Sequence, residues 1–291
     1  MKSDIDRLMQ GKNLDGIIVI GNASHNPPMY YLTGGGHVSA AVLIKKHGQE
    51  AVLFCNDMER EEAAKSGLKV VPFGAYPWQE MLKAAGNDPA LMSAMRLQRM
   101  LADCGITEGR LGIYGQTDIS STLATLTHLA DLVPGIKING EARDGSLFMY
   151  AMETKDEGEV ERIRKMGRIT TNVVRRVAGY LTSRQVRQDE VLLKEDGTPL
   201  TVVDVKSQID LWLAELGAEN PEGCIFAIGR DAGIPHSAGT PSDQIRLGKT
   251  IVFDIYPCEA GGGYFYDFTR TWSLGYATPE AQALYDEVHS V

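Results

Sequence analysis

The sequence lacks the features by which several classes of protein are recognised. Its first ten residues, MKSDIDRLMQ, contain no apolar signal core, and the longest early apolar run is only Ile17–Ile20. Neither a secretory signal nor a membrane span is therefore predicted. Basic residues number 29 against 38 acidic ones, and the resulting net charge of −9 argues against nucleic acid or an anionic membrane as the main partner. We expect a cytoplasmic protein.

Cysteine is also scarce, and no two cysteines form a CxxC pair. The four cysteines are scattered at positions 55, 104, 224 and 258, which is typical of reduced thiols in a reducing compartment. Cys258 has no neighbouring base in the sequence that could activate it as a nucleophile. We interpret it as a packing residue.

A nucleotide-binding loop is missing as well. The stretch Asn26–Gly36, NPPMYYLTGGG, has the prolines and glycines of a structured loop, but no Lys-Ser/Thr pair follows its glycines. A turn is therefore favoured over a phosphate site.

The length and the periodicity indicate two domains. A chain of 291 residues exceeds the usual size of one domain. Strand-like and helix-like segments alternate until about Gly135, and the periodicity weakens between Ile138 and Thr154. We predict an α/β domain over residues 1–145 and a second domain of α+β character over residues 153–291. The second domain opens with a long helix, Lys155–Leu181, whose many charges predict a solvated face that includes an ion pair between Glu161 and Lys165.

The most informative stretch is Thr250–Trp272, TIVFDIYPCEAGGGYFYDFTRTW. Two runs rich in β-branched and aromatic residues, each with one aspartate, flank a glycine-rich turn, which predicts a β-hairpin. A symmetric loop would place Asp254 directly opposite Asp267. Opposed carboxylates repel, and a divalent cation between them would relieve that repulsion, so the pair indicates a metal site of the Mn, Co, Zn or Fe type. Two solvated edge aspartates are the alternative.

One histidine is presented from a Gly/Pro-shaped loop just upstream of these aspartates. His236 lies in IFAIGRDAGIPHSAGT, and Pro235 restricts the backbone immediately before it. Such a histidine could hydrogen-bond a substrate carbonyl or stabilise a developing oxyanion. An ordinary loop histidine is the alternative.

Taken together, these features resemble a known family. The order FAIGRDAGIPHS, VFDIYP and GGGYFYDFTRTW is similar to the catalytic domain of the creatinase/aminopeptidase P/methionine aminopeptidase group, the "pita-bread" metallopeptidases. YYLTGG and the segment at Asn56–Ala63 resemble the amino-terminal domain of creatinases and Xaa-Pro peptidases. The resemblance implies that Asp254 and Asp267 are metal ligands and that His236 assists on the substrate side. It also implies that Thr269 orients a ligating carboxylate. Arg270 fits the Arg-Thr dipeptide of the family; the alternative is a structural role in which it pairs with an acidic neighbour.

The same resemblance implies an activity. We expect an Xaa-Pro dipeptidase or aminopeptidase that uses two divalent metal ions, acts on short proline-containing peptides and forms a homodimer. The amino-terminal domain would cap the active site. Two other functions remain open: a non-catalytic module that binds peptides or proteins, and a creatinase-like amidinohydrolase.

The sequence departs from the family in two ways. Asp254 and Asp267 are 13 positions apart, slightly more than is usual, and a bulge at Gly261–Gly263 could absorb the difference. The family also requires a further histidine and two glutamates downstream. Glu280, Glu287 and His289 are present, but they fall on a predicted helix, Thr278–His289, and not at the motif positions. We therefore expect an incomplete catalytic domain that lacks its carboxyl-terminal part, binds metal weakly and hydrolyses little.

Overall fold

The computed structural model describes residues 2–291, which form two compact units. The first contains the residues up to Glu157 together with Gly261–Gly263, and the second contains Gly158–Ala260 and Tyr264–Val291. Both mix helices with sheets, so the predicted α/β class is confirmed. None of the helices within residues 2–291 is both long and apolar enough to cross a bilayer.

The first unit is built on a sheet of six strands. These strands lie in the spatial order β4-β3-β2-β1-β5-β6; β1 pairs antiparallel with β2 and parallel with β5. The strands are β1 (Gly16–Gly21), β2 (Ala41–Lys46), β3 (Val52–Cys55), β4 (Lys69–Pro72), β5 (Gly109–Gln116) and β6 (Ile136–Asn139).

Among the described residues of this unit, seven segments are α-helical, and side-chain caps define where several of them begin. The Asp88 carboxylate accepts from Ala90 N–H at 2.9 Å and Pro89 takes the first helical position, so this helix begins at Pro89. The helices are α1 (Ile5–Gly11), α2 (Pro27–Thr33), α3 (Arg60–Ala64), α4 (Trp78–Ala84), α5 (Pro89–Asp103), α6 (Ile119–Leu132) and α7 (Leu147–Glu153).

Helix α2 corrects the prediction of a loop at Asn26–Gly36. Pro27 and Pro28 occupy the first helical positions, where the missing N–H has no intrahelical partner to lose. Gly34, with a left-handed φ of 80°, ends the helix. The prolines therefore start a helix here and do not prevent one.

Apolar side chains fill both faces of the six-stranded sheet, because successive residues of a strand point to opposite faces. Ile17 and Val19 of β1 belong to the cluster that includes α1, α2 and α7. Ile18, between them, belongs to the cluster with α4, α5 and α6. The continuous apolar run Ile17–Ile20 is thus a strand that is buried on both faces.

The second unit packs helices against a three-stranded antiparallel sheet in the order β11-β9-β8. Its core joins Val173 and Val177 of α8 to Phe226 and Phe253 of the sheet. The strands are β7 (Ala218–Glu219), β8 (Cys224–Ile228), β9 (Thr250–Ile255), β10 (Cys258–Glu259) and β11 (Phe268–Ser273), and the helices are α8 (Glu157–Thr182), α9 (Val202–Glu215) and α10 (Pro279–His289).

Candidate metal centre

The hairpin that carries the two aspartates has a different register from the predicted one. Thr269 of β11 pairs with Asp254 of β9, and Phe268 pairs with Ile255. Asp267 lies immediately before β11, two positions from Thr269. The prediction that Asp254 directly faces Asp267 is therefore wrong, and the two residues are diagonal neighbours on one face of the hairpin.

The glycines at the tip explain the register. Gly261 and Gly262 have φ values of 84° and 74°, and a two-residue turn with positive φ at both positions matches the twist of a hairpin. The turn is thus centred between them, one position beyond the assumed centre. The same register continues through the bridge between Cys258 and Phe265, so the expected bulge does not form. The longer spacing between Asp254 and Asp267 therefore adds residues to both strands of the hairpin.

Asp254 and Asp267 nevertheless approach each other closely. Their side chains come within hydrogen-bonding range, and the pKa of Asp267 is raised, first by burial and second by the Asp254 carboxylate. Asp254 is partly buried in the sheet, whereas Asp267 is exposed. Two like charges are therefore held together at a position that solvent can reach.

Thr269 acts on the first of these carboxylates. Its Oγ1 hydroxyl donates a hydrogen bond of 2.7 Å to Oδ1 of Asp254. The bond restricts the rotation of the carboxylate and leaves Oδ2 available to another partner. This contact fits the role of orienting a ligand, which is a usual feature around metal-binding carboxylates.

The donor set is suited to a divalent cation. Carboxylate oxygens are hard ligands, and a cation between Asp254 and Asp267 would offset the repulsion between the two carboxylates. Within residues 2–291, however, no group of three or more His, Cys, Asp or Glu side chains is arranged to hold a metal. The candidate centre is therefore limited to the two carboxylates of Asp254 and Asp267 among the described residues.

His236 lies in a loop that follows β8. The loop is closed at its base by the Asp231 carboxylate, which accepts from the backbone N–H of Thr240 at 3.0 Å and from its hydroxyl at 2.8 Å. His236 is exposed and has a left-handed φ of 61°, which is uncommon for a residue with a side chain. In the described part of the chain, no hydrogen bond joins His236 to Asp254 or Asp267.

Arg270 does not have the expected acidic partner. Its guanidinium lies 4.0 Å from the Phe268 ring centroid and donates to the Thr269 carbonyl at 2.7 Å. Between residues 2 and 291 it forms no ion pair, and both of these contacts are with residues of β11, next to the candidate centre.

A network of an ion pair and a hydrogen bond near the hairpin tip was not predicted from the sequence. Arg162 of α8 forms a bidentate ion pair with Glu259, at 2.7 Å from Nη2 to Oε2 and 3.0 Å from Nε to Oε1. The Tyr264 hydroxyl donates to the buried Glu159. The prediction of a solvated α8 face is therefore wrong for Glu159 and Arg162. Their partners lie about a hundred positions away in sequence, so the pattern of α8 itself does not reveal them.

One other charge prediction for this unit differs from the structure. Glu161 pairs with Arg168, at 2.7 Å, and not with Lys165. In α10, Glu280, Glu287 and His289 are exposed, and His289 stacks on Tyr285. Within residues 2–291, these three residues belong to no group of three or more His, Cys, Asp or Glu side chains that could hold a metal.

The comparisons with known proteins assign both units to a class. Residues 161–291 match the model of metallopeptidase family M24, and residues 3–140 match the creatinase/prolidase N-terminal domain. No protein of curated function matches the chain significantly.

Solved structures with the same two-domain architecture are peptidases. Prolidase from Pyrococcus furiosus is 19% identical and superposes with a TM-score of 0.65 over 98% of this chain and 69% of its own. Xaa-Pro dipeptidase from Bacillus anthracis is 16% identical, with a TM-score of 0.69 over 99% of this chain and 69% of its own. X-Pro aminopeptidase from Thermotoga maritima is 17% identical, with a TM-score of 0.69 over 98% of this chain and 69% of its own.

At these identities the structural likeness establishes a shared fold, and the family models add the class. The second unit has the fold of a metal-dependent peptidase. Residues 161–291 therefore match metallopeptidase family M24 and residues 3–140 match the creatinase/prolidase amino-terminal domain, as the sequence motifs implied.

Proposed function

We propose that this chain is a metal-dependent peptidase that acts on the bond before proline in short Xaa-Pro peptides. The observation that carries the proposal is the close approach of Asp254 and Asp267 on one face of the hairpin, with Thr269 bonded to Asp254. The match of residues 161–291 to family M24 and the likeness to prolidases and Xaa-Pro peptidases support the same substrate class.

Four residues of the chain would have separate roles in this reaction. Asp254 and Asp267 would hold a divalent cation, of which Mn²⁺ is the proposed example, and Thr269 would keep the Asp254 carboxylate oriented. A bound metal supplies Lewis-acid activation of the scissile carbonyl and of water. His236 would donate a hydrogen bond to the substrate oxygen as negative charge develops there.

Metal binding at the two aspartates is the first test. We expect Mn²⁺, titrated against the protein and followed by electron paramagnetic resonance, to bind weakly, because the described residues supply two ligands. Asp254→Asn and Asp267→Asn should each abolish this binding, since each substitution removes one anionic ligand without changing its shape. Glu287→Gln, which removes an exposed carboxylate of α10, is the matched control and should bind as the wild type does.

The same variants separate repulsion from ligation. Without metal, Asp267→Asn should raise the thermal midpoint slightly, because it removes a carboxylate that is close to another. With Mn²⁺ present, the order should reverse, since only the wild type gains stability from the bound ion. A wild type that stays less stable than Asp267→Asn at every Mn²⁺ concentration would argue against a metal centre.

Hydrolysis is the second test, with an Xaa-Pro dipeptide as the substrate and amino-acid release as the readout. We expect a low rate that requires Mn²⁺ and both aspartates. Release that persists in Asp254→Asn and Asp267→Asn would overturn the proposal. Creatine and a dipeptide without proline serve as substrates that should not be hydrolysed.

A further inference from the structure

A crevice opens in the first unit at the carboxyl ends of two parallel strands. Strands β1 and β5 are neighbours in the sheet. The strand that follows β1 in the chain, β2, lies on one side of this pair, and the strand that follows β5, β6, lies on the other side. The crevice is therefore at a position where the strand order reverses. In open α/β sheets, ligands bind preferentially at such positions. We call this space the β1/β5 crevice. It consists of two adjoining cavities of about 200 and 500 Å³ that share Ile20, Thr117 and Thr122.

The smaller cavity contains an arginine without a counter-ion. Arg96 of α5 lines it, and the guanidinium lies 4.4 Å from the Phe73 ring centroid and 6.0 Å from that of Trp78. In the part of the chain that the structure describes, the guanidinium has no ion pair and no side-chain hydrogen bond. Burial lowers the pKa of Arg96. A partly desolvated cation whose five N–H donors are unused is costly, and an anionic ligand would remove that cost.

Hydroxyl groups line the same cavity, and two of them have hydrogens to donate. Ser93 stands three positions before Arg96 on α5, which places both on one face of the helix. The hydroxyls of Ser93 and Thr117 donate to no acceptor within residues 2–291. By contrast, Thr125 donates to the Ser121 carbonyl at 2.9 Å. Ser93 and Thr117 can therefore supplement Arg96.

The larger cavity is apolar. Ile113, Leu126 and two residues of the first turns of α6, Ile119 and Leu123, line it. Ile119 is 80% exposed and Leu123 is 65% exposed, which is unusual for two aliphatic side chains one turn apart beside an open cavity. The crevice thus offers one charged end and one apolar end.

The nearby charges restrict the anion to one negative charge. Asp118, at the start of α6, lies in sequence between the lining residues Thr117 and Ile119, and its carboxylate accepts from the Ser121 backbone N–H and hydroxyl, both at 2.8 Å. A fixed negative charge therefore lies beside the crevice. Among the described residues, Arg96 is the one Lys or Arg that lines the two cavities, so the second negative charge of a dianion such as phosphate would have no cationic partner there. A carboxylate matches the guanidinium in charge and in planar, two-pronged geometry.

We propose that the β1/β5 crevice binds a small apolar monocarboxylate, whose carboxylate pairs with Arg96 and whose apolar body lies against Ile119 and Leu123. A fatty acid and an N-acylated hydrophobic amino acid share this chemistry. Neither ligand is needed for peptide hydrolysis, so a test of this binding does not depend on the proposed peptidase activity.

Isothermal titration of the full chain with sodium octanoate tests the site. We expect saturable binding of one octanoate, weaker binding of n-octylamine, which lacks the anion, and no binding of inorganic phosphate, which lacks the apolar body. Titration with N-acetyl-leucine distinguishes the two sources: tighter binding than octanoate assigns the site to acylated amino acids, and weaker binding assigns it to fatty acids.

Matched variants locate the binding. Arg96→Gln should weaken octanoate binding by about 10- to 100-fold, the range for loss of a hydrogen-bonded charge partner. Arg99→Gln, at an exposed arginine of the same helix, should leave it unchanged. Leu123→Gln should weaken binding by roughly 10-fold through lost apolar contact, whereas Leu284→Gln, equally exposed on α10, should not.

Arg96→Lys is a second variant that tests the proposal if Arg96→Gln fails to fold. It keeps the charge but not the two-pronged geometry, so its affinity should fall between those of the wild type and Arg96→Gln. Absence of octanoate binding at millimolar concentrations would overturn the proposal. So would equal affinity for octanoate and octylamine, or unchanged binding by Arg96→Gln or Arg96→Lys.

Discussion

Thr269 and Asp254 are register partners across the hairpin, and the Thr269 hydroxyl donates a 2.7 Å hydrogen bond to the Asp254 carboxylate. Partners that hydrogen-bond a ligating carboxylate commonly contribute to metal affinity although they do not touch the metal. The candidate centre therefore depends on a hydroxyl as well as on two carboxylates.

Replacing this hydroxyl tests its role. Thr269→Val keeps the shape but removes the donor, and we expect Mn²⁺ affinity to fall by about 10- to 100-fold. Thr269→Ser restores the hydroxyl and should recover most of the affinity. Thr271→Val is the control, because Thr271 lies two positions further along the same face and pairs with Val252. Equal loss of affinity in both valine variants would mean that the strand, and not the hydrogen bond, is what matters.

Two glycines of α8 predict opposite effects of the same substitution. A Cβ on Gly167 would lie 2.8 Å from Cε2 of Tyr266, next to Asp267, whereas a Cβ on Gly179 would meet nothing within 4 Å. Gly167→Ala should therefore destabilise the protein by about 1–3 kcal/mol, because the ring must move. Gly179→Ala should stabilise it by about 0.5–1 kcal/mol, because alanine is the better helix former. Urea denaturation measures both, and a stabilising Gly167→Ala would contradict the packing of Tyr266 on α8.

The backbone of His236 predicts an order of stability. Its φ of 61° suits glycine and strains alanine, so His236→Gly should be more stable than His236→Ala by roughly 1 kcal/mol. Both variants should lose Xaa-Pro hydrolysis, since both lack the imidazole. Thermal unfolding beside the peptidase assay checks the two effects separately. Equal stability of the variants would show that the loop relaxes out of the left-handed conformation once the histidine is removed.

Glu141 links four segments of the first unit and predicts an effect of acid. It accepts from Lys12 at 2.7 Å, from the Tyr114 hydroxyl at 2.7 Å and from Leu147 N–H at 2.9 Å. Burial acts to raise its pKa, but the hydrogen bonds from Lys12, Leu147 and Tyr114 outweigh burial, and the pKa lies below the usual 4.5. Glu141→Gln should cost about 1–3 kcal/mol at neutral pH, because a charged acceptor is lost.

The sign of the pH dependence follows from the lowered pKa. A carboxyl whose pKa is lower in the folded state stabilises the fold above its unfolded value, and this stability is lost as the pH falls through the folded value. The difference in unfolding free energy between the wild type and Glu141→Gln should therefore shrink below about pH 4.5. Glu153→Gln, at an exposed glutamate, should follow the wild type throughout. A difference that stays constant down to pH 3 would contradict the lowered pKa.

Features encoded locally could be predicted from the sequence, and features that depend on distant partners could not. A helix was predicted at Thr278–His289, and the Thr278 hydroxyl caps it by accepting from Ala281 N–H at 3.3 Å. The signal for this helix start lies within four residues. The roles of Glu159 and Arg162 depend on Tyr264 and Glu259, which only the fold brings close.

At the candidate centre, the residue types were readable but their pairing was not. The aspartates and the glycine turn predict a hairpin, yet the register depends on which two glycines adopt positive φ, and a shift of the turn centre by one position changes every partner. The side chains of Asp254 and Asp267 are close in spite of this shift, because diagonal neighbours on a twisted hairpin can also contact each other.

The unbroken register from Thr269 to the hairpin tip has a consequence for comparing sequences. One residue added to each arm lengthens the hairpin but leaves the pairing of Asp254 with Thr269 intact, so the interval between the aspartates changes in steps of two while the tip keeps its two-residue turn. An odd interval such as 13 is then compatible with the site, whereas an even interval requires another type of turn. A search for related sites should therefore fix the parity of the interval and leave its length variable.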